Sequence, residues 1–169
     1  MEQYRILQAE FIINDLGAFI ETIRRIGERE RCSIICFDAD RIAGMQHAEA
    51  ALVRALRAQS SRCGIARSLE MEALLYASAS RQCVIGAGFG VHAGFNRAFV
   101  AVVPPREGAC AALCDIMKFV CVNWEEIDPA KKKVLMDLFA ITGAELSATG
   151  ENQLRALILE RIALLEVNR

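Results

Sequence analysis

At 169 residues the chain is long enough to bury a self-sufficient core, and residues 1–169 are read as one domain. With 54% hydrophobic residues, 24% charged residues and a formal net charge of -1, it is neither a disordered chain nor a histone-like basic protein, so any nucleic-acid site has to be a local patch. The first residues, Met-Glu-Gln-Tyr-Arg, lack the apolar core of a signal peptide, and no uninterrupted apolar run reaches about 18 residues, which predicts a cytoplasmic protein without a membrane span.

Residues 4–13 read as a strand, and Asn14 or Asp15 then caps a helix over 16–27. That helix places Leu16, Phe19, Ile20, Ile23 and Ile26 on one face and Glu21, Arg24 and Arg25 outside, with Gly27 as its stop. The apolar run 32–37, closed by Asp38 and Asp40, predicts a second strand at a sheet centre or covered on both sides. Residues 45–58 form a helix whose inner stripe is Ala48, Leu52, Val53 and Leu56, while Arg54, Arg57 and then Arg62 line the outside.

The stretch 66–82 organises the chain. Ser68 can cap a helix of about three turns with acids in its first turn, where the macrodipole favours them. Leu69, Ala73, Tyr76 and Ala77 make one stripe, and Met71, Leu74, Leu75 and Ser78 surround it, so the helix is expected at the centre of the fold. Arg62 and Arg67 precede it, and Arg81 and Gln82 follow it. Next comes a glycine run that imitates a dinucleotide fingerprint. Gly86, Gly88 and Gly90 are spaced G-x-G-x-G, however, and no long helix opens behind them, so a glycine-loosened helix over 81–89 is expected instead.

Residues 95–103 give a third strand that Pro104 and Pro105 terminate, and 107–119 a helix, with 121–123 as a short fourth strand or a turn. Asp128 followed by Pro129 starts another helix, with Lys131, Lys132 and Lys133 in its first turn, where the dipole disfavours them; they are solvated or held by another group. Residues 141–149 hold a turn at Gly143, and a last helix spans 151–167. The order predicts an α+β two-layer domain, a small, mostly antiparallel sheet covered by several helices.

The inventory for catalysis is thin. Two histidines stand beside alanines, and there is no nucleophile elbow, phosphate loop or metal-ligand spacing, so the chain reads as a non-enzyme without a cofactor or metal. Seven cysteines are scattered mostly through apolar runs, which predicts reduced, buried thiols; Cys32/Cys36 and Cys110/Cys114 have three intervening residues and no accompanying histidine. Asp38 and Asp40 read as strand terminators.

Two surfaces support binding. Arg62, Arg67 and Arg81 can contact phosphates and Gln82 a base edge, with Tyr76 or Phe89 as a stacking ring, or they are ordinary surface arginines. The last helix carries two apolar stripes, Leu154, Leu157 or Ile158, Ile162 and Leu165 on one side and Ala156, Leu159, Ala163 and Val167 on another. One stripe faces the core; the other is covered by the same fold or by a partner.

Residues 68–82, Ser-Leu-Glu-Met-Glu-Ala-Leu-Leu-Tyr-Ala-Ser-Ala-Ser-Arg-Gln, resemble the hallmark helix of the PRPK-binding-protein family, the small subunit of the KEOPS complex. The arginine-bearing helix over 48–59 and the closing helix over 154–165 are similar to the family too, which usually has glycine in place of Ala79 and an aliphatic residue in place of Cys83. The resemblance implies the same α+β fold and a non-catalytic subunit in tRNA threonylcarbamoyladenosine synthesis. It implies a kinase-like ATPase subunit as partner, here at Ala156, Leu159, Ala163 and Val167, and tRNA held by its unpaired 3′ acceptor end, here at Arg62, Arg67, Arg81 and Gln82. A small-molecule-binding or redox-sensing α+β domain, using the glycine run and the cysteines, is the other reading.

Overall fold

A computed structural model describes residues 3–167. In chain order the elements are β1 (Arg5–Ile13), α1 (Leu16–Glu30), β2 (Ser33–Asp38), α2 (Met45–Ser60), α3 (Leu69–Ala77), α4 (Cys83–Ala87), β3 (Gly94–Val103), α5 (Glu107–Leu113), β4 (Lys118–Val120), α6 (Pro129–Leu138), α7 (Gly143–Thr149) and α8 (Leu154–Val167), with a 3-10 turn at Glu151–Gln153. The fold is mixed α+β with one antiparallel sheet. It divides into two compact units, residues 3–38 with 90–122, and residues 39–89 with 123–167.

The first unit holds the sheet, in the order β2-β3-β1-β4 with every pairing antiparallel. The period-two alternation sends Ala9, Phe11 and Ile13 of β1, Ala98, Val100 and Val102 of β3, and Ile34 of β2 to one face. There they bury Ile26 of α1, Ala109 and Leu113 of α5, and Met117. Phe11 and Phe19 stack with ring centroids 5.1 Å apart. Asn96, 3% exposed, satisfies its side chain within the turn before β3: the amide donates to the carbonyls of His92 (2.7 Å) and Gly94 (3.0 Å) and accepts from the His92 N–H (3.0 Å).

Several boundaries depart from the expectations. Asp15 is the cap of α1, accepting from the Ala18 N–H at 2.9 Å, but Gly27 does not end the helix. The helix runs on to Glu30, and Arg31 takes the left-handed conformation (φ 54°) in a Schellman closure, with the Cys32 N–H on the Gly27 carbonyl. A Cβ at Gly27 would lie 2.7 Å from the Cys32 carbonyl oxygen, so glycine here permits the chain to fold back on itself. Leu16 and Ile20, assigned to the inner face, remain 36% and 50% exposed. β2 is covered on both faces, with Ile34 on one and Ile35 and Phe37 on the other buried, but it is an edge strand and not a central one, because a continuous apolar run reports buried faces and says nothing about neighbours in the ladder. The fourth strand is Lys118–Val120, paired to residues 8–10 of β1, so α5 stops at Leu113 and the chain turns before residue 118.

The second unit is helical throughout. α2 packs on α3 and on α8, and the unit's core includes the wholly buried Ile42, Leu52, Leu75, Tyr76, Phe89, Leu135, Leu146 and Ile158 with the almost wholly buried Trp124 and Phe139. His47 lies in this core, wholly buried. Its Nδ1 accepts from the Ala43 N–H at 3.0 Å and its Nε2 donates to the Ala77 carbonyl at 2.8 Å, a pattern that requires a neutral ring with the proton on Nε2. Residues 141–149, expected as a turn, form a helix capped by Thr142, which accepts from the Glu145 N–H at 3.1 Å. The capping-box spacing Thr142-x-x-Glu145 is the signal for it. Asp128 and Pro129 start α6 as expected, the carboxylate accepting from the Lys131 N–H at 2.7 Å. Among the described residues no helix is long and apolar enough to cross a membrane.

Burial pushes the pKa of His47 from its ordinary 6.5 down to about 4, against the pull of the Ala77 carbonyl and with the charges of Lys131 and Arg155 adding to the fall. Between these two values the unfolded chain takes up a proton that the folded one refuses. Stability is therefore complete above pH 6.5 and declines as pH falls towards 4, by on the order of 3 kcal/mol in all. Urea titrations of wild type and His47→Gln at pH 7 and pH 5 check this: the wild type should lose stability between the two, and the variant, weaker at pH 7, should not. Equal losses in both proteins would place the titration on another group.

Candidate nucleic-acid and partner interfaces

The basic candidates stand at the two ends of α3. This helix is nine residues long, about two and a half turns rather than three, because the chain leaves the helical path at Ser78. Ser68 caps it, its hydroxyl accepting from the Met71 N–H at 3.2 Å, and Glu70 and Glu72 lie in the first turn. Leu69, Ala73, Leu75, Tyr76 and Ala77 are buried, as the pattern predicts for a central helix. The exit is a Schellman turn in which the Ala79 N–H donates to Tyr76 (3.0 Å) and the Ser80 N–H to Leu75 (3.1 Å). Ala79 sits at φ 50°, the left-handed conformation in which glycine carries no penalty. The position where the resemblance implies glycine thus keeps a glycine-type turn with an L-residue in it. The helix expected over 81–89 is only Cys83–Ala87, and it packs so closely on α3 that a Cβ at Gly86 would lie 3.0 Å from a Leu75 methyl.

Arg62, Arg67, Arg81 and Gln82 are all exposed, but they fall into two groups. Arg62 and Arg67 line one pocket of about 200 Å³, together with Gln59, Ala66, Ser68 and Glu72. Arg81 and Gln82 lie beyond the other end of α3, a helix about 14 Å long by its residue count. Neither expected stacking ring is available: Tyr76 is 0% and Phe89 1% exposed, since both belong to the helical core, where Phe89 meets Phe139 edge-on at 5.7 Å. Lys132 of the lysine run is held by Glu151 at 2.7 Å. The sequence reading missed Glu72 as a lining residue of the pocket. It is 2% exposed, and its Oε2 accepts from the Ala66 N–H at 2.6 Å. The signal was present, because Glu72 stands three residues after Leu69 and four before Tyr76, an acid on the apolar stripe.

The second surface is α8. Leu154, Leu157, Ile158, Ile162 and Leu165 are buried. On the opposite side Ala156 is exposed, Leu159 and Ala163 are half-buried and Val167 is 76% exposed. Leu164, 43% exposed, extends that side and was not singled out from the sequence. Ion pairs and hydrogen bonds hold the flanks of the helix. Arg161 reaches both carboxylate oxygens of Glu145 (2.7 and 2.9 Å), Glu166 lies 3.4 Å from Arg54, and Arg155 donates to the carbonyls of Ala43 (2.5 Å) and Glu125 (2.7 Å). Glu125 returns the contact by accepting the Met45 N–H at 2.7 Å, at the start of α2.

The cysteines are less buried than expected. Cys63, Cys83, Cys114 and Cys121 are exposed, and Cys32, Cys36 and Cys110 are half-buried, because the apolar runs that contain them end in turns and helix termini. All seven are free thiols. Desolvation of its sulfur pushes the Cys36 thiol up to about 12, which favours the protonated form. Among the described residues no group of three or more His, Cys, Asp or Glu side chains could hold a metal ion. Asp38, 6% exposed at the end of β2, has the His92 ring 3.9 Å away.

The strained exit of α3 gives a direct check. Ala79→Gly should raise stability by about 0.5–1 kcal/mol, and the melting temperature by about 1–4 °C, because glycine occupies the left-handed region without the Cβ penalty. Ala79→Val should lower both. Calorimetry showing no gain for glycine would mean that the turn is not left-handed in solution.

Comparison with individually curated proteins gives no match. The family model described as kinase binding protein CGI-121 does match, over residues 8–166. The match runs from β1 into α8 and so takes in α3, both basic loops and the outward face of the last helix as far as residue 166. On that extent, and in line with the resemblance of residues 68–82, the chain belongs to the kinase binding protein CGI-121 family.

Proposed function

We propose that this chain is a non-catalytic, cytoplasmic subunit of a KEOPS-type assembly. It docks a kinase-like ATPase subunit through α8 and brings tRNA to the complex by its 3′ acceptor end, while a different subunit installs the threonylcarbamoyl group. The observation that carries the reading is the outward side of α8. Leu159, Ala163, Leu164 and Val167 leave apolar surface exposed or half-exposed on a helix whose flanks are already engaged by Glu145, Glu125 and Arg54. Small residues at Ala156 and Ala163 let a partner helix approach closely, and each large apolar side chain fully covered contributes about 1.5–3 kcal/mol.

The RNA part of the proposal is supported by the basic ends of α3. Arg62 and Arg67 share a pocket and have the chemistry for phosphate; Arg81 and Gln82, about one helix length away, would meet a different nucleotide of the same strand. With Tyr76 and Phe89 buried, binding at these residues would draw on charge and hydrogen bonds more than on stacking.

Two measurements test the proposal. Leu159→Glu or Ala163→Glu should abolish capture of the kinase-like subunit in a pull-down while leaving the circular dichroism spectrum unchanged, because a charge buried without a partner in an interface is costly. Ile158→Glu, at a wholly buried position, should unfold the protein instead. Full binding by both outward variants would remove α8 as the docking face. For RNA, Arg62→Glu, Arg67→Glu and Arg81→Glu should each weaken tRNA binding by about 1–3 kcal/mol in an anisotropy titration and make it less salt-dependent, with no loss of melting temperature. Trimming the 3′ overhang should have the same effect on the wild type. Gln82→Ala should instead reduce discrimination between the natural overhang and an altered one. Equal affinity for intact and trimmed tRNA would reject the acceptor end as the ligand.

A further inference from the structure

The basic loop over residues 62–68 has no helix or strand of its own, yet it carries two of the four candidate RNA contacts. Its ends are fixed. At one end Arg62 takes the left-handed conformation (φ 54°) in the turn that closes α2, with the Cys63 N–H on the Ala58 carbonyl at 3.0 Å. At the other end Ser68 caps α3. Between these points Glu72 reaches back out of the helix to the Ala66 N–H at 2.6 Å, and its Oε2 lies 3.5 Å from the position a Cβ on Gly64 would take. The loop is therefore folded over a carboxylate from inside α3. Ser68 satisfies a helix N–H while Glu72 satisfies a loop N–H, the reciprocal logic of a capping box carried two residues further out.

Burying a carboxylate is costly unless it is hydrogen-bonded or paired, and a mere helix-capping role is open to an exposed residue. Here the carboxylate is 2% exposed and lines the same pocket as Arg62 and Arg67. We infer that Glu72 is a positioning residue for the basic pocket: by accepting the Ala66 N–H it orders the loop so that Arg62 and Arg67 converge on one ligand. This rests on the RNA reading of the pocket for its ligand, but the ordering of the loop is a property of the free protein. Pre-organisation of this kind raises affinity by removing the cost of ordering the contact residues on binding.

The experiment reads both levels on the full-length protein. Amide hydrogen exchange without RNA is measured for wild type, Glu72→Ala and Glu72→Gln, and affinity for intact tRNA is measured for the same proteins and in an Arg62→Glu/Arg67→Glu background. Glu72→Ala should speed exchange at Ala66 and its loop neighbours by tenfold or more while leaving the amides of residues 73–77 unchanged, and should weaken tRNA binding about tenfold. Glu72→Gln keeps an acceptor at the same place and should stay within about threefold of wild type in both. In the double-arginine background Glu72→Ala should have no further effect. Unchanged exchange at Ala66, or the same loss of affinity with and without the arginines, would overturn the inference. Should Glu72→Ala fail to fold, Glu72→Asp, which withdraws the acceptor by one methylene, is read in the same way. If wild type shows no overhang-dependent tRNA binding while Ala66 exchanges as expected, the RNA reading fails and the ordering of the loop by Glu72 stands.

Discussion

His47 ties the beginning of α2 to the end of α3 through a single imidazole, accepting the Ala43 N–H on one nitrogen and donating to the Ala77 carbonyl with the other. Ala77 is the last residue of α3, and its carbonyl is one of those a helix leaves without an internal partner. A neutral ring can satisfy both groups at once only with donor and acceptor on opposite sides, which is what histidine offers and a protonated ring does not. The position of the C-terminal end of α3, and with it the turn that presents Arg81 and Gln82, depends on this contact. The N-terminal end depends in the same way on buried Glu72 and on Ser68, so a nine-residue helix is held at both ends by polar side chains. Its apolar flanks supply the bulk of the burial, and the polar contacts specify where it stops.

The same division operates in α8. Leu154, Leu157, Ile158, Ile162 and Leu165 provide the driving force for docking the helix in its unit, but an apolar stripe allows some rotation about the helix axis. Arg155, Arg161 and Glu166 remove that freedom, since each reaches a different element: the segments flanking α2 and α6, the body of α7, and α2 itself. These pairs are partly exposed and individually contribute little to stability. Their effect is on orientation: the buried stripe sets which side faces inward, and these contacts fix the helix about that setting. If the outward stripe takes a partner, as proposed, presenting it in one orientation beforehand lowers the cost of binding.

Local features of the chain were legible where a single residue type has one physical use. Ser68, Asp128 and Asp15 were readable as caps because a short oxygen-bearing side chain before an apolar periodic run has few other roles. The glycine run was readable as a short, glycine-loosened helix, and Gly86 lies within α4. Ala79, where the resemblance implies glycine, is a left-handed residue. Thr142-x-x-Glu145 was equally informative, and the helix it announces was overlooked because Gly143 suggested a turn.

What the sequence by itself determined is therefore most of the elements, the caps at Asp15, Ser68 and Asp128 and the mixed α+β class, which follow from periodicity and local capping, and the family, which follows from the resemblance of residues 68–82. Only the tertiary structure decided that β2 lies at an edge, that Tyr76 and Phe89 are buried, and that Arg62 and Arg67 share a pocket while Arg81 and Gln82 lie a helix length away. It alone put Glu72 beneath the basic loop and turned the Ala156–Ala163–Val167 side of α8 outward. The reason is physical. An apolar side chain records that it is buried but not against what, and a charge records that it needs a partner but not which one; both are settled by packing between elements far apart in the chain.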